Sequence, residues 1–274
     1  IEPLPNGNLL MIAWEYRNET EAAEFGKYPQ DDSSRAVGTT SVWPDRIIEV
    51  EPVGNADANI VWQWSFWDHM IQDYDSNKAN YGVVADHPEL LDINFIDAIG
   101  AASGGRDWLH CNGIDYNPVL DQIALSCKNT NEVYIIDHST TTAEAASHSG
   151  GNSGMGGDIL YRYGNPESYD RGDEDDQVLF AQHDVQWIDN GYIDEGKLMI
   201  FNNGNGRETP YSSVEVIETP IDGYRYQIDD NTSFGPDELS WSWDIGTEMY
   251  SSAISGSTRL ANGNTLVTFG MQGT

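Results

Sequence analysis

Short apolar runs alternate with Gly, Asp and Asn turns along the whole chain, and no long 3.6-residue period develops. Three runs alternate large aromatic with polar positions: Ile60-Val61-Trp62-Gln63-Trp64, Ile159-Leu160-Tyr161-Arg162-Tyr163 and Leu239-Ser240-Trp241-Ser242-Trp243. Each follows a strand that closes on an acidic residue, at 47–51, 133–137 and 214–218. Each of those follows an opening strand, at 8–12, 122–125 and 197–201, and a fourth opening begins at Gly263-Asn264-Thr265-Leu266-Val267. Self-similar four-strand units in an all-β chain predict the blades of a β-propeller. The uneven spacing of Trp62, Tyr161 and Trp241 leaves room for inserted loops. A β-sandwich with coincidental aromatic strands is the plainer alternative. One short helix is predicted at 20–25, around Glu21-Ala22-Ala23-Glu24.

Both ends cut through this pattern. Pro5-Asn6-Gly7-Asn8-Leu9-Leu10 matches Ala261-Asn262-Gly263-Asn264-Thr265-Leu266. A histidine-bearing strand expected about a dozen residues before each such turn would, in the first copy, lie ahead of Ile1. The expectation is a single propeller domain over residues 1–274, truncated at both ends, with about three to four blades. Such an open ring exposes raw blade faces and is expected to be inactive alone.

Charge narrows the function classes. Thirteen Lys and Arg stand against 45 Asp and Glu, a net charge of −32, which repels nucleic acid and anionic membrane. Nine Trp, 14 Tyr and 7 Phe are interleaved with the acids, a composition that does not stay disordered. Scattered acidity reads as solvation in salty water, with a functional acidic surface or calcium sites as rivals. Residues 170–176 fit no EF-hand spacing and read as an exposed acidic turn. No apolar run approaches the roughly 18–20 residues of a membrane span; the sequence opens at Ile1 and not Met, reads as a processed or truncated piece, and gives no direct address.

The candidate chemistry centres on histidines at similar places in the repeat. Trp108-Leu109-His110-Cys111-Asn112 and Gln182-His183-Asp184 each precede an opening strand by about a dozen residues. A simple hairpin pairs His110 with Lys128, Cys111 with Cys127 and Asn112 with Ser126. Alternation then puts His110, Asn112, Ser126 and Lys128 on one face, suited to an anionic oxygen cluster, and both cysteines on the other. A hydrogen-bonded surface hairpin is the bland reading of the same residues. Cys111 and Cys127 can form a disulfide or remain two buried thiols. Arg207, in the turn Asn202-Asn203-Gly204-Asn205-Gly206-Arg207, adds a candidate anion contact, and His69 in Trp67-Asp68-His69 is a candidate for the same pocket. His87, His138 and His148 are expected to face solvent, and 139–157 to be a flexible loop.

These motifs resemble the PAPS-independent aryl-sulfate sulfotransferases. The resemblance rests on Asp107-Trp108-Leu109-His110-Cys111-Asn112, Ser126-Cys127-Lys128, Gln182-His183 and Phe201-Asn202-Asn203-Gly204-Asn205-Gly206-Arg207, and covers most of residues 5–270. It implies a six-bladed propeller with the active site at its central channel. It also implies that His183 is the nucleophile carrying a sulfohistidine, with His110, Asn112 and residue 128 binding the sulfate. Two departures stand out: Lys128 replaces the usual arginine, which loses the bidentate fork, and a further family histidine has no counterpart after Ile1. The implied reaction moves a sulfuryl group from a phenolic sulfate ester to a phenolic acceptor in two steps, without a cofactor. The implied partners are small aryl sulfates and phenols, with a homo-oligomer possible, and the implied address is periplasmic or extracellular, where a Cys111–Cys127 disulfide would be at home. The rival functions are a non-catalytic binding propeller and a metal-dependent ester hydrolase with His110, His183 and His69 as ligands.

Overall fold

A computed structural model describes residues 1–28, 41–96 and 107–272. The chain is all-β. Three four-stranded antiparallel sheets follow one another, each with its strands in sequence order. Sheet I contains β1 (Glu2–Pro3), β2 (Leu9–Trp14), β3 (Asp45–Val53) and β4 (Asp57–Ser65). Sheet II contains β5 (Cys111–Asn117), β6 (Gln122–Cys127), β7 (Glu132–Asp137) and β8 (Tyr161–Tyr163). Sheet III contains β9 (His183–Trp187), β10 (Leu198–Asn202), β11 (Ser213–Ile217) and β12 (Trp241–Asp244). A fourth unit is the hairpin of β13 (Gly256–Arg259) and β14 (Thr265–Thr268). Among the described residues no sheet closes on itself.

The expected strand triplets are β2–β3–β4, β6–β7–β8 and β10–β11–β12, and the repeated Asn-Gly-Asn turns fold alike. Leu4 N–H donates to Asn8 O (2.8 Å), as Leu260 N–H does to Asn264 O (2.8 Å). Asn8 N–H donates to Asn6 Oδ1 (2.9 Å) and Asn264 N–H to Asn262 Oδ1 (3.0 Å). Gly7 and Gly263 stand at φ 89° and 85°, where a side chain would be strained.

Packing runs in series. Leu10, Ile47, Trp62 and Trp64 of sheet I meet Ile123, Leu125, Cys127, Tyr134 and Ile136 of sheet II. The other face of sheet II, with Ala124, Val133 and Ile135, meets Val185, Leu198, Ile200 and Ile217 of sheet III. Met199, Phe201, Val214 and Val216 then face Val267 and Phe269. Sheets II and III thus bury both faces, which is why β6 and β10 are buried throughout. A sandwich would bury only the facing sides of two sheets, so that alternative does not describe this chain. The first strands lie side by side: β1 and β2 against β5, β5 against β9, and β9 against β13.

Aspartates stitch the units together. Asp45 Oδ2 accepts from Cys111 N–H (3.4 Å), Asp115 Oδ2 from Trp187 N–H (2.7 Å) and Asp184 Oδ2 from Ser257 N–H (2.7 Å). Part of the acidity is therefore structural and not only a solvated surface. Inside sheet II, fully buried Arg162 lies on Glu132, Ser168 and the Leu90 carbonyl, with Tyr169 against its guanidinium.

Two expectations need correction here. The segment 139–157 is held in place: Thr141 and Glu144 form a capping box on α2 (Thr142–Ala145), Ser153 N–H donates to Asp137 Oδ2 (2.8 Å), and Ala145 is buried. The predicted helix is present, as α1 (Glu19–Glu24), capped by Asn18. The hairpin register is shifted beyond its first pair. Cys111 faces Cys127 as expected, but Gly113, not Asn112, faces Ser126, so Asn112 is bulged. Crowding explains the glycine: a Cβ on Gly113 would lie 3.1 Å from Asp184 N and 3.2 Å from Ser126 Cβ. Sheet III bulges at the equivalent place, pairing His183 with Phe201 and then Val185 with Ile200. His183 therefore occupies the register position of Cys111, one residue away from that of His110.

Candidate active site

His183 opens β9 beside the bulge, half-buried, with its ring fixed from both sides. Nδ1 faces Asn203 Oδ1 (2.7 Å) and the Ala181 carbonyl (3.1 Å). The Asn203 amide is oriented by its own bonds, since Nδ2 donates to the Ser251 carbonyl (2.7 Å) and the Ile254 carbonyl (3.0 Å). Its oxygen can only accept, so His183 carries its proton on Nδ1 and leaves a lone pair on Nε2. Ile254 N–H donates to that Nε2 (3.2 Å). Ile254 holds φ 54°, an uncommon region for a β-branched residue, and Asn203 anchors its carbonyl there. Burial lowers the proton affinity of His183 below the usual imidazole value, and positive charge at His110 and Lys128 lowers it further.

Those last effects bring three of the predicted residues together. His110 lies just before β5 with φ 53°, its Nδ1 on Asp107 Oδ2. Among the described residues Nε2 of His110 and Nζ of Lys128 have no hydrogen-bond or ion-pair partner. His110 O accepts from Lys128 N–H (3.0 Å), so the two side chains leave adjacent strand ends. Between them Cys111 and Cys127 are joined in a disulfide, on the face that packs toward sheet I. Asn112 donates from Nδ2 to the Gln182 carbonyl (2.9 Å), and Ser126 Oγ reaches the same oxygen (3.4 Å). The bulge thus still turns Asn112 and Ser126 toward sheet III, beside His183. Gln182 completes the joint, donating from Nε2 to the Cys127 and Glu132 carbonyls.

Two predicted residues do not join this group. Arg207 lies against Tyr211 (4.0 Å from its ring) and pairs with Glu215 (3.1 Å), with further bonds to Ser213 and the Tyr211 carbonyl. Its guanidinium braces sheet III and is not offered to an anion. His69 is wholly buried, stacked on Trp64, with Nδ1 on Asp158 and Nε2 on the Ala145 carbonyl. Neither nitrogen is turned to a substrate, and the three-histidine metal set of His110, His183 and His69 does not form. His138 also corrects an expectation: it lies between Asp121 (2.7 Å) and Glu49 (3.1 Å) with its side chain 11% exposed. His87 and His148 do reach solvent.

Sequence reasoning missed the roles of Asn203, Asp107, Gln182 and the 251–254 backbone. Asp107, Gln182 and Asn203 stand inside the quoted motifs, but turn chemistry alone explained Asn203, and nothing local ties it to a histidine 20 residues away. The backbone of 251–254 carries no side-chain signal.

Among the described residues no helix is long and apolar enough to cross a membrane. No curated protein matches the chain. The family model for arylsulfotransferase (ASST) matches residues 1–274, and the chain belongs to that family.

Proposed function

We propose that this protein moves a sulfuryl group between phenolic oxygens through a sulfohistidine on His183, within a β-propeller that is six-bladed in the family. The carrying observation is the state of His183: its proton affinity lowered by burial, its Nδ1 proton pinned by an amide, and its Nε2 lone pair within the field of Lys128 and of His110, whose Nδ1 is held by Asp107. Family membership and the three side-by-side meanders support the reading. Residues 1–274 are then one propeller domain, and the disulfide fits a periplasmic or extracellular address.

In the first half-reaction Nε2 attacks sulfur, the N–S bond forms, the S–O(aryl) bond breaks and its electron pair leaves on the phenolate. Lys128 Nζ and the second Asn112 amide hydrogen offset charge on the sulfuryl oxygens. His110, held on Asp107, supplies the proton for the leaving phenolate when it is imidazolium. The Ile254 N–H that meets the lone pair now is released toward the incoming oxygens. Asn203 cannot remove the Nδ1 proton, so the sulfated ring keeps imidazolium character and stays a good leaving group. An acceptor phenol then attacks sulfur, gives its proton to His110, and restores His183.

The test is incubation with a ³⁵S-labelled aryl sulfate followed by peptide mapping. Label on His183, absent in His183→Asn and formed about 10²-fold more slowly in Lys128→Met, is expected. Turnover without histidine label would overturn the mechanism, and neither label nor turnover would leave a binding protein.

A further inference from the structure

A second histidine cluster lies outside this site. His69 follows β4 in the turn Phe66–His69, while His148 and Asp158 come from the connection between β7 and β8. One donor atom from each of the three lies within 4.8 Å of the others. His69 Nδ1 and His148 Nδ1 converge on the same carboxylate oxygen, Asp158 Oδ1, at 2.9 Å and 2.7 Å.

We propose that His69, His148 and Asp158 form a divalent-metal site of the zinc class that staples residues 139–157 to the end of sheet I. The Ala145 carbonyl at 2.8 Å requires the His69 proton on Nε2, the arrangement that frees Nδ1 for a metal. A neutral His69 then turns a lone pair toward a carboxylate oxygen, a contact that calls for a cation between them. A proton on Nδ1 would satisfy that pair alone; the arrival of His148 at the same oxygen supplies a third donor that a proton does not need. Donors around tetrahedral zinc stand about 3.3 Å apart, and here both histidine nitrogens lie 2.7–2.9 Å from Asp158 Oδ1 with all three atoms within 4.8 Å of one another, so small side-chain shifts admit the ion. The buried ring is oriented in advance by stacking on Trp64 (interplanar 8°). Gly157 permits this, since a Cβ there would lie 2.6 Å from His69 Nε2 and 2.0 Å from Ala145 O. The His148 side chain is 63% exposed against 8% for Asp158 and 0% for His69, so it forms the solvent side, where water completes the shell. Two histidines and one carboxylate suit zinc or another first-row divalent ion better than calcium.

Zn²⁺ titrated into the chelator-treated protein, with excess Mg²⁺ to occupy surface carboxylates, tests this without reference to sulfuryl transfer. One Zn²⁺ per chain and a raised melting temperature are expected. His148→Ala should weaken binding by about tenfold or more, while His87→Ala, another exposed histidine beside a carboxylate, binds as the parent does. No saturable single site in the parent, or unchanged affinity in His148→Ala, would overturn the proposal.

Discussion

At the scale of single residues, the contact between His183 and Asn203 decides the chemistry. An amide oxygen fixes the tautomer without contributing charge; its hydrogen bond favours the protonated ring, but burial outweighs it and, with the smaller effect of His110 and Lys128, holds the proton affinity below the usual imidazole value. The acid limb of turnover is expected below the ordinary histidine value of about 6.5. Asn203→Asp would add a carboxylate within hydrogen-bond reach, stabilise imidazolium and move that limb to higher pH, measurable as the pH profile of kcat/KM. An unmoved limb would separate His183 from the titrating group. The nearness of His110 and Lys128 was legible from hairpin spacing, and His183 as a candidate from its place in the repeat. Arg207 and His69 stand apart from the site for one reason: a cation or imidazole announces a binding capacity, and only the fold shows that Glu215 holds the Arg207 guanidinium and that the His69 ring is buried against Trp64 with Nε2 on the Ala145 carbonyl.

At the scale of elements, the bulges at Asn112 and Asp184 turn ordinary hairpins into a site. Alternation predicts an uninterrupted pairing, so strand positions were readable but the one-residue slip was not. The signal was Gly113, whose missing side chain lets β9 approach, and its meaning depends on a strand about 70 residues away. The Cys111–Cys127 bridge locks the ends of β5 and β6 between His110 and Lys128. Replacing both cysteines with serine should cost roughly 2–4 kcal/mol, read by denaturant unfolding, and lower kcat more than it raises KM, because the bridge sets geometry and not substrate contact. Equal stability with and without reductant would contradict that role.

For the whole molecule, 45 acids against 13 bases make the folded state a repulsive one. Raising salt from about 0.1 M to 1 M shortens the screening length from about 10 Å to 3 Å and should raise the unfolding midpoint. Buried stitching aspartates add a pH dependence of definite sign. Burial pushes Asp45 up to about 8 and Asp115 to about 7. A folded-state value above the unfolded one means stability is complete below about pH 4 and is lost as pH rises through the folded values. Stability should therefore fall from about pH 4 until it levels off near the folded values, at about pH 7 to 8, and Asp45→Asn should flatten the decline. The all-β series of units was visible from recurring aromatic strands, whereas the carboxylate-to-backbone stitches were not, since they join residues of different units.

The site spans the joint between two sheets. Asn112 and Ser126 reach across to the Gln182 carbonyl, and Gln182 reaches back to Cys127 and Glu132. Catalytic geometry is thus a reading of how far apart two slabs stand, much as a vernier reads the offset of two rulers. On the proposed mechanism, a motion that parts the slabs would disarm His183 without unfolding a strand, and an anion gripped across the gap would pull them into register.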